Sequence, residues 1–290
     1  MILLDYSGIV LNNVFSYFGN NKESGESETK DENLLRHIIL NAFLNVAIKF
    51  KKEYGKITIA VDSRNGYWRK QLFPNYKIHR KPHETTLFDF KWCRNFMDTM
   101  VSDLKENTHY FVIEEDYAEA DDVIAVLTKT LVKKENILIV SQDSDFFQLQ
   151  KYNPVSEFNV KQVKYDLTTF YSVDDAEEYL IDKVIRGDSS DSIPNILSDD
   201  NVFRNKQRQT IMSKKRYNQL RNFDDEILTE EVKEHWKRNN KLINFDAIPK
   251  KIQENIWNNF NLYTPQPKYK LITYLQKYNL SQLLKEVERF

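Results

Sequence analysis

Residues 137–145 read ILIVSQDSD: four large aliphatic side chains, then a polar turn that carries two aspartates two positions apart. Four apolar residues in succession, without alternation, are typical of a strand buried on both faces of a parallel sheet. Three further runs have the same character, and each ends in a carboxylate: ILLD at 2–5, ITIAVD at 57–62 and HYFVIE at 109–114. Four such strands predict a mostly parallel sheet, which would be twisted as protein sheets are.

Helical patterns lie between and after these strands. Apolar residues recur at helical spacing in the segments between the strands, at 34–52, 87–104 and 120–133. This alternation predicts a doubly wound α/β fold with helices flanking the sheet. From about residue 181 the strand signal fades, while helical periodicity continues at 220–238, 249–260 and 269–290. We therefore predict an α/β catalytic domain at 1–180, with a polar surface loop at 20–31, and a smaller, mainly helical domain at 181–290.

The composition excludes several classes of protein. The 290 residues are 41% hydrophobic and 29% charged, which indicates a globular chain and excludes an intrinsically disordered one. No apolar run approaches the roughly 18–20 residues of a membrane span, and the apolar start at 1–4 is too short for a signal peptide. The single cysteine, Cys93, excludes an internal disulfide framework and a zinc site built from several thiolates. These observations predict a reducing, cytosolic environment.

Acidic residues lie at the carboxyl ends of the predicted strands, where a ligand site is expected. In an open α/β sheet, ligands bind outside the carboxyl ends of the strands, so acids placed there converge. Two acids follow the 137–140 run, the helix near residue 120 begins EADD, and GDSSD at 187–191 supplies two more. The predicted cluster has nine members: Asp5, Asp62, Glu119, Asp121, Asp122, Asp143, Asp145, Asp188 and Asp191.

Nine carboxylates in a small volume would repel each other unless cations lay among them. Oxygen donors without His or Cys favour Mg²⁺ or Mn²⁺ over zinc, so the cluster predicts a divalent-metal site. Each acid alone also fits a structural role, as a turn former, a helix cap or a first-turn acid. The metal prediction rests on their joint pattern, and Glu114, Glu115 and Asp116 are interpreted only as a solvated loop.

The basic residues show that the net charge of −1 is misleading, because without the nine acids it would be +8. A first basic segment, 64–81, contains no acid and has six cations with aromatic side chains between them: Arg64, Arg69, Lys70, Lys77, Arg80 and Lys81. A second basic segment, 204–216, also lacks acids: Arg204, Lys206, Arg208, Lys214, Lys215 and Arg216. Cations among aromatic rings suit phosphate pairing and base stacking. The alternatives are a solvated helix face for the second segment and packing for Trp68 and Tyr76.

Together these motifs resemble the 5′-nuclease superfamily of flap endonucleases and 5′→3′ exonucleases, and within it the RNase H enzymes of T-even bacteriophages. The resemblance rests on the following motifs: Val61-Asp62, GYWR at 66–69, Tyr76-Lys77 with Arg80, EADD at 119–122, Asp143-Ser144-Asp145, Gly187-Asp188 with Asp191, Arg36-His37 and LINFDAIP at 242–249. It implies a 5′-nuclease core, related to PIN domains, with a basic arch at about 64–83. One departure is the lack of the family's glycine-rich helix-turn-helix after residue 191, so the resemblance does not fix how 193–216 contacts a duplex.

The resemblance also implies roles for the residues. Two Mg²⁺ ions, replaceable by Mn²⁺, would bridge the scissile phosphate. Asp5, Asp62, Asp121 and Asp143 would surround the first ion, with Glu119 and Asp122 nearby; Asp145, Asp188 and Asp191 would serve the second. Lys77 and Arg80 would neutralise charge on the phosphate. Arg69 would hold a neighbouring phosphate, and Tyr76 would stack on the terminal base.

The predicted function is cleavage near 5′ ends of DNA and RNA–DNA duplexes, with removal of lagging-strand RNA primers and flaps during phage-type replication. Expected partners are a single-stranded-DNA-binding protein, docked on 181–290, and a sliding clamp. The protein would act as a monomer in the host cytoplasm, away from membranes. Two alternatives stay open: a DNA-junction binding module that does not cut, and a PIN-type ribonuclease acting on RNA alone. A HAD-type phosphatase is excluded, because residues 5–7 read Asp-Tyr-Ser and lack its Asp-x-Asp.

Overall fold

The fold was obtained as a computed structural model that describes residues 1–24, 31–79, 89–224 and 226–290. Its centre is a six-stranded sheet in the order β3-β2-β1-β4-β5-β6, parallel except for the antiparallel β6 at one edge. The strands are β1 (Ile2–Asp5), β2 (Ile57–Val61), β3 (Phe111–Glu114), β4 (Ile137–Val140), β5 (Val160–Val163) and β6 (Phe170–Tyr171). The four predicted strands are confirmed within two residues; β5 and β6, more polar or very short, were missed.

Helices surround the sheet and account for most of the remaining chain. They are α1 (Tyr6–Ser24), α2 (Glu32–Tyr54), α3 (Trp68–Leu72), α4 (Phe90–Asn107), α5 (Ala120–Leu131), α6 (Ala176–Arg186), α7 (Lys214–Arg221), α8 (Glu230–Ile243), α9 (Lys250–Leu262), α10 (Lys268–Lys277) and α11 (Ser281–Lys285). Among the described residues there are also three short 3₁₀ helices, at Ser144–Tyr152, Phe245–Ala247 and Val287–Arg289. In the part of the chain that the structure describes, no helix is long and apolar enough to cross a membrane.

Alternate side chains of the strands point into two separate cores. Ile2 and Leu4 join a core formed with α1, α2, α4 and the last helices, while Leu3 packs on the other face with α5 and α9. All of these strand residues are fully buried, which explains why the strands read as continuous apolar runs. Helices from beyond residue 180 thus contribute to both cores, and the division of the chain at that residue stays a prediction.

Three predicted boundaries were wrong for local reasons. The helix predicted at 220–238 is two helices, because Ser213 and Thr229 each cap a new helix, accepting hydrogen bonds from Arg216 N–H and Val232 N–H. The C-terminal helix predicted at 269–290 breaks after Lys277, where Asn279 adopts a positive φ of 56°. The predicted loop at 20–31 begins late, since α1 continues to Ser24; residues 25–30 lie outside the described residues.

The sheet order places a topological switch point at its centre. Chain order runs outward from β1 in both directions, through β2 and β3 on one side and β4 and β5 on the other. The carboxyl ends of the parallel strands open a crevice at such a point, which is where ligands bind in α/β folds. The residues that follow β1, β2 and β4 are therefore the ones to inspect.

Candidate active site

Asp5 and Asp62, at the ends of β1 and β2, are held in place by hydrogen bonds. The Asp5 carboxylate accepts hydrogen bonds from Gly8 N–H (3.1 Å), the Ser141 hydroxyl (3.1 Å) and the Tyr165 hydroxyl (3.2 Å). The Asp62 carboxylate accepts from the Ser7 hydroxyl (2.6 Å) and from Ala120 N–H (3.0 Å), the first amide of α5. These bonds tie the ends of β1, β2 and β4 to the start of α5.

The close approach of Tyr165 to Asp5 requires glycine at position 8. A Cβ atom on Gly8 would lie 1.8 Å from the Tyr165 hydroxyl oxygen and 2.6 Å from Asp5 Oδ2, both far inside van der Waals contact. Any side chain at this position would push the Tyr165 hydroxyl away from the Asp5 carboxylate.

The start of α5 holds a buried network of opposite charges. Glu119 is the N-cap of α5 and forms a capping box with Asp122, whose carboxylate accepts from Glu119 N–H at 3.0 Å. The Arg69 guanidinium donates to Glu119 (2.6 Å) and to Asp122 (3.0 Å), and also to the Leu242 carbonyl (2.8 Å). Arg69, Glu119 and Asp122 are each at most 3% exposed. This network is structural, because its charges already satisfy one another.

Tyr76 and Lys77 connect this network to the 187–191 segment. The Tyr76 hydroxyl donates to Glu119 (3.0 Å) and to Asp191 (2.9 Å). The Lys77 ammonium pairs with Glu119 and lies 3.7 Å from Asp191 Oδ2, while Lys77 N–H donates to the Asp191 carbonyl at 2.7 Å. The first basic segment therefore packs onto the acids rather than standing away from the protein, at least as far as residue 79.

The pKa values show which carboxylates are affected by burial and by the charges of their neighbours. Burial, together with the Asp62 carboxylate, raises the pKa of Asp5 to about 6. Burial and the neighbouring Asp143 carboxylate raise the pKa of Asp121 well above its usual value. Burial would also raise the pKa of Glu119, but Arg69 and Lys77 outweigh it and lower that pKa. Asp5, Asp62, Asp121 and Asp143 thus lie close enough to repel each other.

A second group of acids is held by a lysine. The Lys183 ammonium, on α6, pairs with Asp145 and with Asp188, the latter at 2.8 Å. Burial would raise the pKa of Asp188, but Lys183 and the Ser190 hydrogen bonds lower it to about 2. Gly187, with a φ of +69°, makes this arrangement possible: a Cβ there would lie 2.3 Å from the Ile193 carbonyl oxygen.

The donor chemistry of the cluster fits a hard divalent cation. Asp121, Asp145, Asp188 and Asp191 line one narrow cavity of about 10 Å³, which is at the lower limit for holding a single water molecule. Oxygen donors of this kind suit Mg²⁺ or Mn²⁺. In the described ranges, however, no three His, Cys, Asp or Glu side chains already converge on a common point. The ammonium groups of Lys77 and Lys183 stand between some of these oxygens.

Two sequence predictions need correction. Arg69 cannot hold a substrate phosphate, because its guanidinium is buried against Glu119 and Asp122. Tyr76 is 2% exposed and packs with Phe73 and Ile193, so its ring is not available to stack on a base. Asp122 accepts from Trp68 Nε1–H (3.0 Å), Arg69 and Glu119 N–H, which places it in the capping network; its place near an ion stays a prediction.

The other predicted nucleic-acid-binding residues differ in their surroundings. Lys70 and Arg64 are both exposed, and Arg64 lies 3.4 Å from Asp98 and 3.4 Å from Glu114. Arg80 and Lys81 lie outside the described residues, so their roles stay predictions. All six cations of the second basic segment are exposed, and none forms an ion pair with an acid in the part of the chain that is described: Arg204, Lys206, Arg208, Lys214, Lys215 and Arg216.

Sequence reasoning missed four polar residues of the site: Ser7, Ser141, Tyr165 and Lys183. Lys183 could have been found, because it lies on a helix that ends directly before Gly187-Asp188 and so faces the same edge. Ser141 directly follows β4 and Ser7 lies two residues after β1, which is a weaker signal. Nothing local marks Tyr165, which reaches Asp5 across 160 residues of chain.

Comparison with known proteins supports the family resemblance. Two family descriptions match the chain: "5'-3' exonuclease, N-terminal resolvase-like domain" at residues 1–179 and "T4 RNase H, C terminal" at residues 174–290. The ribonuclease H of Enterobacteria phage T4 is 30% identical over 99% of this chain and 95% of its own length. A 5'-3' exonuclease of Mycoplasmopsis pulmonis is 32% identical over 53% of this chain and 51% of its own.

Solved structures show the same fold at low sequence identity. The T5 5'-exonuclease with bound zinc superposes with a TM-score of 0.62 at 16% identity, covering 91% of this chain and 98% of that one. The bacteriophage T5 D15 flap endonuclease, solved with DNA and metal ions, gives a TM-score of 0.57 at 17% identity, covering 90% and 98%. The α/β fold with a helical C-terminal region is therefore confirmed, as is the resemblance drawn from the motifs.

Proposed function

The chain belongs to the family of 5'-3' exonucleases, and we propose that it is a metal-dependent 5′→3′ exonuclease and flap endonuclease with RNase H activity. The observation that carries this proposal is the group of mutually repelling carboxylates, Asp5, Asp62, Asp121 and Asp143, at the switch point of the sheet. Its substrates would be DNA and RNA–DNA duplexes with 5′ ends or flaps. The products would be a 3′-hydroxyl and a 5′-phosphate.

Two groups of acids would hold the proposed pair of Mg²⁺ ions, with Mn²⁺ as a substitute. Asp5, Asp62, Asp121 and Asp143 form one group; Asp145, Asp188 and Asp191 form the other. When bound, such ions activate a water nucleophile and stabilise the charge of an in-line displacement. The chain's part is to keep these carboxylates in place through the hydrogen bonds to Asp5, Asp62 and Asp188.

Lys77 is the described cation best placed to meet a scissile phosphate. Its side chain is 12% exposed, its ammonium lies beside Glu119 and Asp191, and its charge lowers the pKa of Asp121 against the larger effect of burial. Preorganised cations at such a position stabilise charge that develops on the phosphate. Arg80 would assist from three residues further along.

Contact with the duplex would come from the second basic segment, 204–216. Its six exposed cations are not neutralised by neighbouring acids within the described residues, as expected for a surface that binds phosphates. The match of residues 174–290 to a phage RNase H region supports a nuclease with this second region over a PIN-type ribonuclease. We further propose primer removal in phage-type replication, in the host cytoplasm, by a monomer that docks a single-stranded-DNA-binding protein on 181–290 and a sliding clamp.

The test is cleavage of end-labelled nicked, flapped and RNA-primed duplexes with Mg²⁺, with EDTA as the control. We expect Asp121→Asn and Asp145→Asn to abolish most cleavage while DNA affinity, measured in EDTA, is unchanged. The matched control is Asp174→Asn, which alters an exposed aspartate that follows β6 and should keep full turnover. Binding of these duplexes without any cleavage would contradict the proposal and favour the non-cutting junction binder.

A further inference from the structure

Lys183 lies among the acids that the sequence motifs assign to the second metal ion. Its ammonium contacts both Asp145 and Asp188, and its side chain is 17% exposed. The two acids come from different elements: Asp145 from the 3₁₀ helix after β4, Asp188 from the turn after α6. One lysine thus joins two segments whose carboxylates would otherwise repel.

Three acids of the first group, Asp5, Asp62 and Asp121, have no such lysine. No Lys or Arg of the described ranges forms an ion pair with any of these three carboxylates, whereas Lys183 pairs with both Asp145 and Asp188. The two groups of acids therefore differ before any ion arrives, because an ammonium group already lies between Asp145 and Asp188.

A divalent ion that binds between Asp145 and Asp188 would compete with the ammonium group that already lies there. It would take oxygen atoms that Lys183 now contacts, and the like charges of the two cations would repel each other at short range in a partly buried site. A lysine can leave, because its compact charge is carried on a flexible four-carbon stem. An arginine held by a bidentate fork, like Arg69 against Glu119 and Asp122, would leave far less readily.

We infer that Lys183 is an internal counter-ion that holds Asp145 and Asp188 together in the metal-free protein and competes with a divalent ion for them. Lys183 is thus a positioning residue: binding of the second ion requires its ammonium to leave. The second ion consequently binds more weakly than the first. This inference builds on the proposed metal sites but does not require that the protein cleave nucleic acid.

Binding of Mn²⁺ alone tests the competition, measured by isothermal titration calorimetry and by the electron paramagnetic resonance signal of free Mn²⁺. We expect one tight and one weak site in the unaltered protein, with Asp145→Asn removing the weak one. Lys183→Met keeps the length of the side chain and removes its charge. This substitution should raise the Mn²⁺ affinity of the weak site roughly tenfold or more. The Mn²⁺ affinity of the tight site should not change.

Two further measurements separate the local effect of the Lys183 charge from a general change in net charge. Lys151→Met is the matched control, because Lys151 pairs with Asp246 outside the cluster, and it should change neither affinity. Lys183→Met should also unfold more easily than the unaltered protein without ions, by leaving two acids unpaired, and saturating Mn²⁺ should close that difference.

Equal or weaker Mn²⁺ binding by Lys183→Met would overturn the inference. So would a loss of DNA affinity with unchanged Mn²⁺ affinity, which would make Lys183 a phosphate-binding residue. The nuclease proposal fails separately: if Lys183→Met tightens the weak site but no duplex is cut, the competition stands and the proposed activity is wrong. If duplexes are cut and the Mn²⁺ affinities do not move, only the competition is wrong.

Discussion

The two basic segments look alike in sequence and lie in opposite environments. In the first, Arg69 is 3% exposed and Lys77 12%, and both are paired with acids of the site. In the second, all six cations from Arg204 to Arg216 are exposed and none is paired with an acid among the described residues. The first segment neutralises the protein's own carboxylates, and the second presents charge to the outside.

This difference shows that a cation count does not by itself locate a nucleic-acid surface. The first segment follows β2 and runs directly past the acids at the end of the sheet, so its cations find internal partners. The second follows the 187–191 turn and begins no regular helix until Lys214, which leaves its side chains in solvent. Predictions about the two segments should therefore separate stability from binding.

The largest expected effect is a loss of stability on removal of Arg69. Arg69→Met leaves Asp122 as a buried carboxylate without an ionic partner and removes one of the two cations that pair with Glu119, and breaking a buried pair in this way typically costs about 3–5 kcal/mol. Urea unfolding followed by circular dichroism measures the change. The adjacent Lys70→Met is the matched control: Lys70 is exposed, so its free energy of unfolding should change by less than about 0.5 kcal/mol. Equal stability of the two variants would mean that Arg69 is not an internal counter-ion.

The sequence predicted the strand ends better than the surroundings of the cations, for a physical reason. Strands β1 to β4 and the acids after them depend on local hydrophobic runs and on the geometry of parallel sheets, both of which are visible in short segments. The burial of Arg69 depends on the Leu242 carbonyl, which is 173 residues away. Likewise Tyr76 is covered by Ile193 and Leu242. No local pattern distinguishes such a residue from an exposed one.

The second effect concerns DNA binding and should appear only in the second basic segment. Replacement of Lys214, Lys215 and Arg216 by Ala removes up to three phosphate contacts. Affinity for a 5′-flapped duplex in EDTA should fall roughly thirtyfold at about 0.15 M salt, and the slope of log K against log salt should become about 2–3 units shallower. Fluorescence anisotropy at several salt concentrations measures both quantities.

The control for this triple variant lies at the other end of the sheet. Lys133 and Lys134 are exposed just after α5, and their replacement by Ala changes net charge without altering the second basic segment. The double variant should keep its affinity and salt slope. If the slope of log K against log salt becomes shallower in both variants, the change reflects net charge in general and not the second basic segment.

The third effect tests whether the Tyr76 hydroxyl serves the acids of the site. Tyr76→Phe keeps the ring and removes the hydroxyl, which lies 3.0 Å from Glu119 and 2.9 Å from Asp191. Loss of a hydrogen bond to a charged acceptor should lower the free energy of unfolding by about 1.5 kcal/mol. DNA affinity in EDTA should not change. A variant that keeps full stability but binds DNA more weakly would mean that the hydroxyl contacts the nucleic acid.

The smallest effect concerns Arg64, which lies at the border between the two kinds of environment. Arg64 Nε is 3.4 Å from Asp98 Oδ1, and the Arg64 side chain is 45% exposed. A double-mutant cycle with Arg64→Ala and Asp98→Ala should give a coupling energy of about 0.2–1 kcal/mol, as expected for a solvent-exposed ion pair. Measured coupling with unchanged DNA affinity would place Arg64 with the internally paired cations of the first segment. Zero coupling, together with DNA binding that is weaker and less sensitive to salt in the Arg64 variant, would instead make Arg64 part of the external surface. The border between the two environments would then lie at the buried side chains of residues 68 and 69.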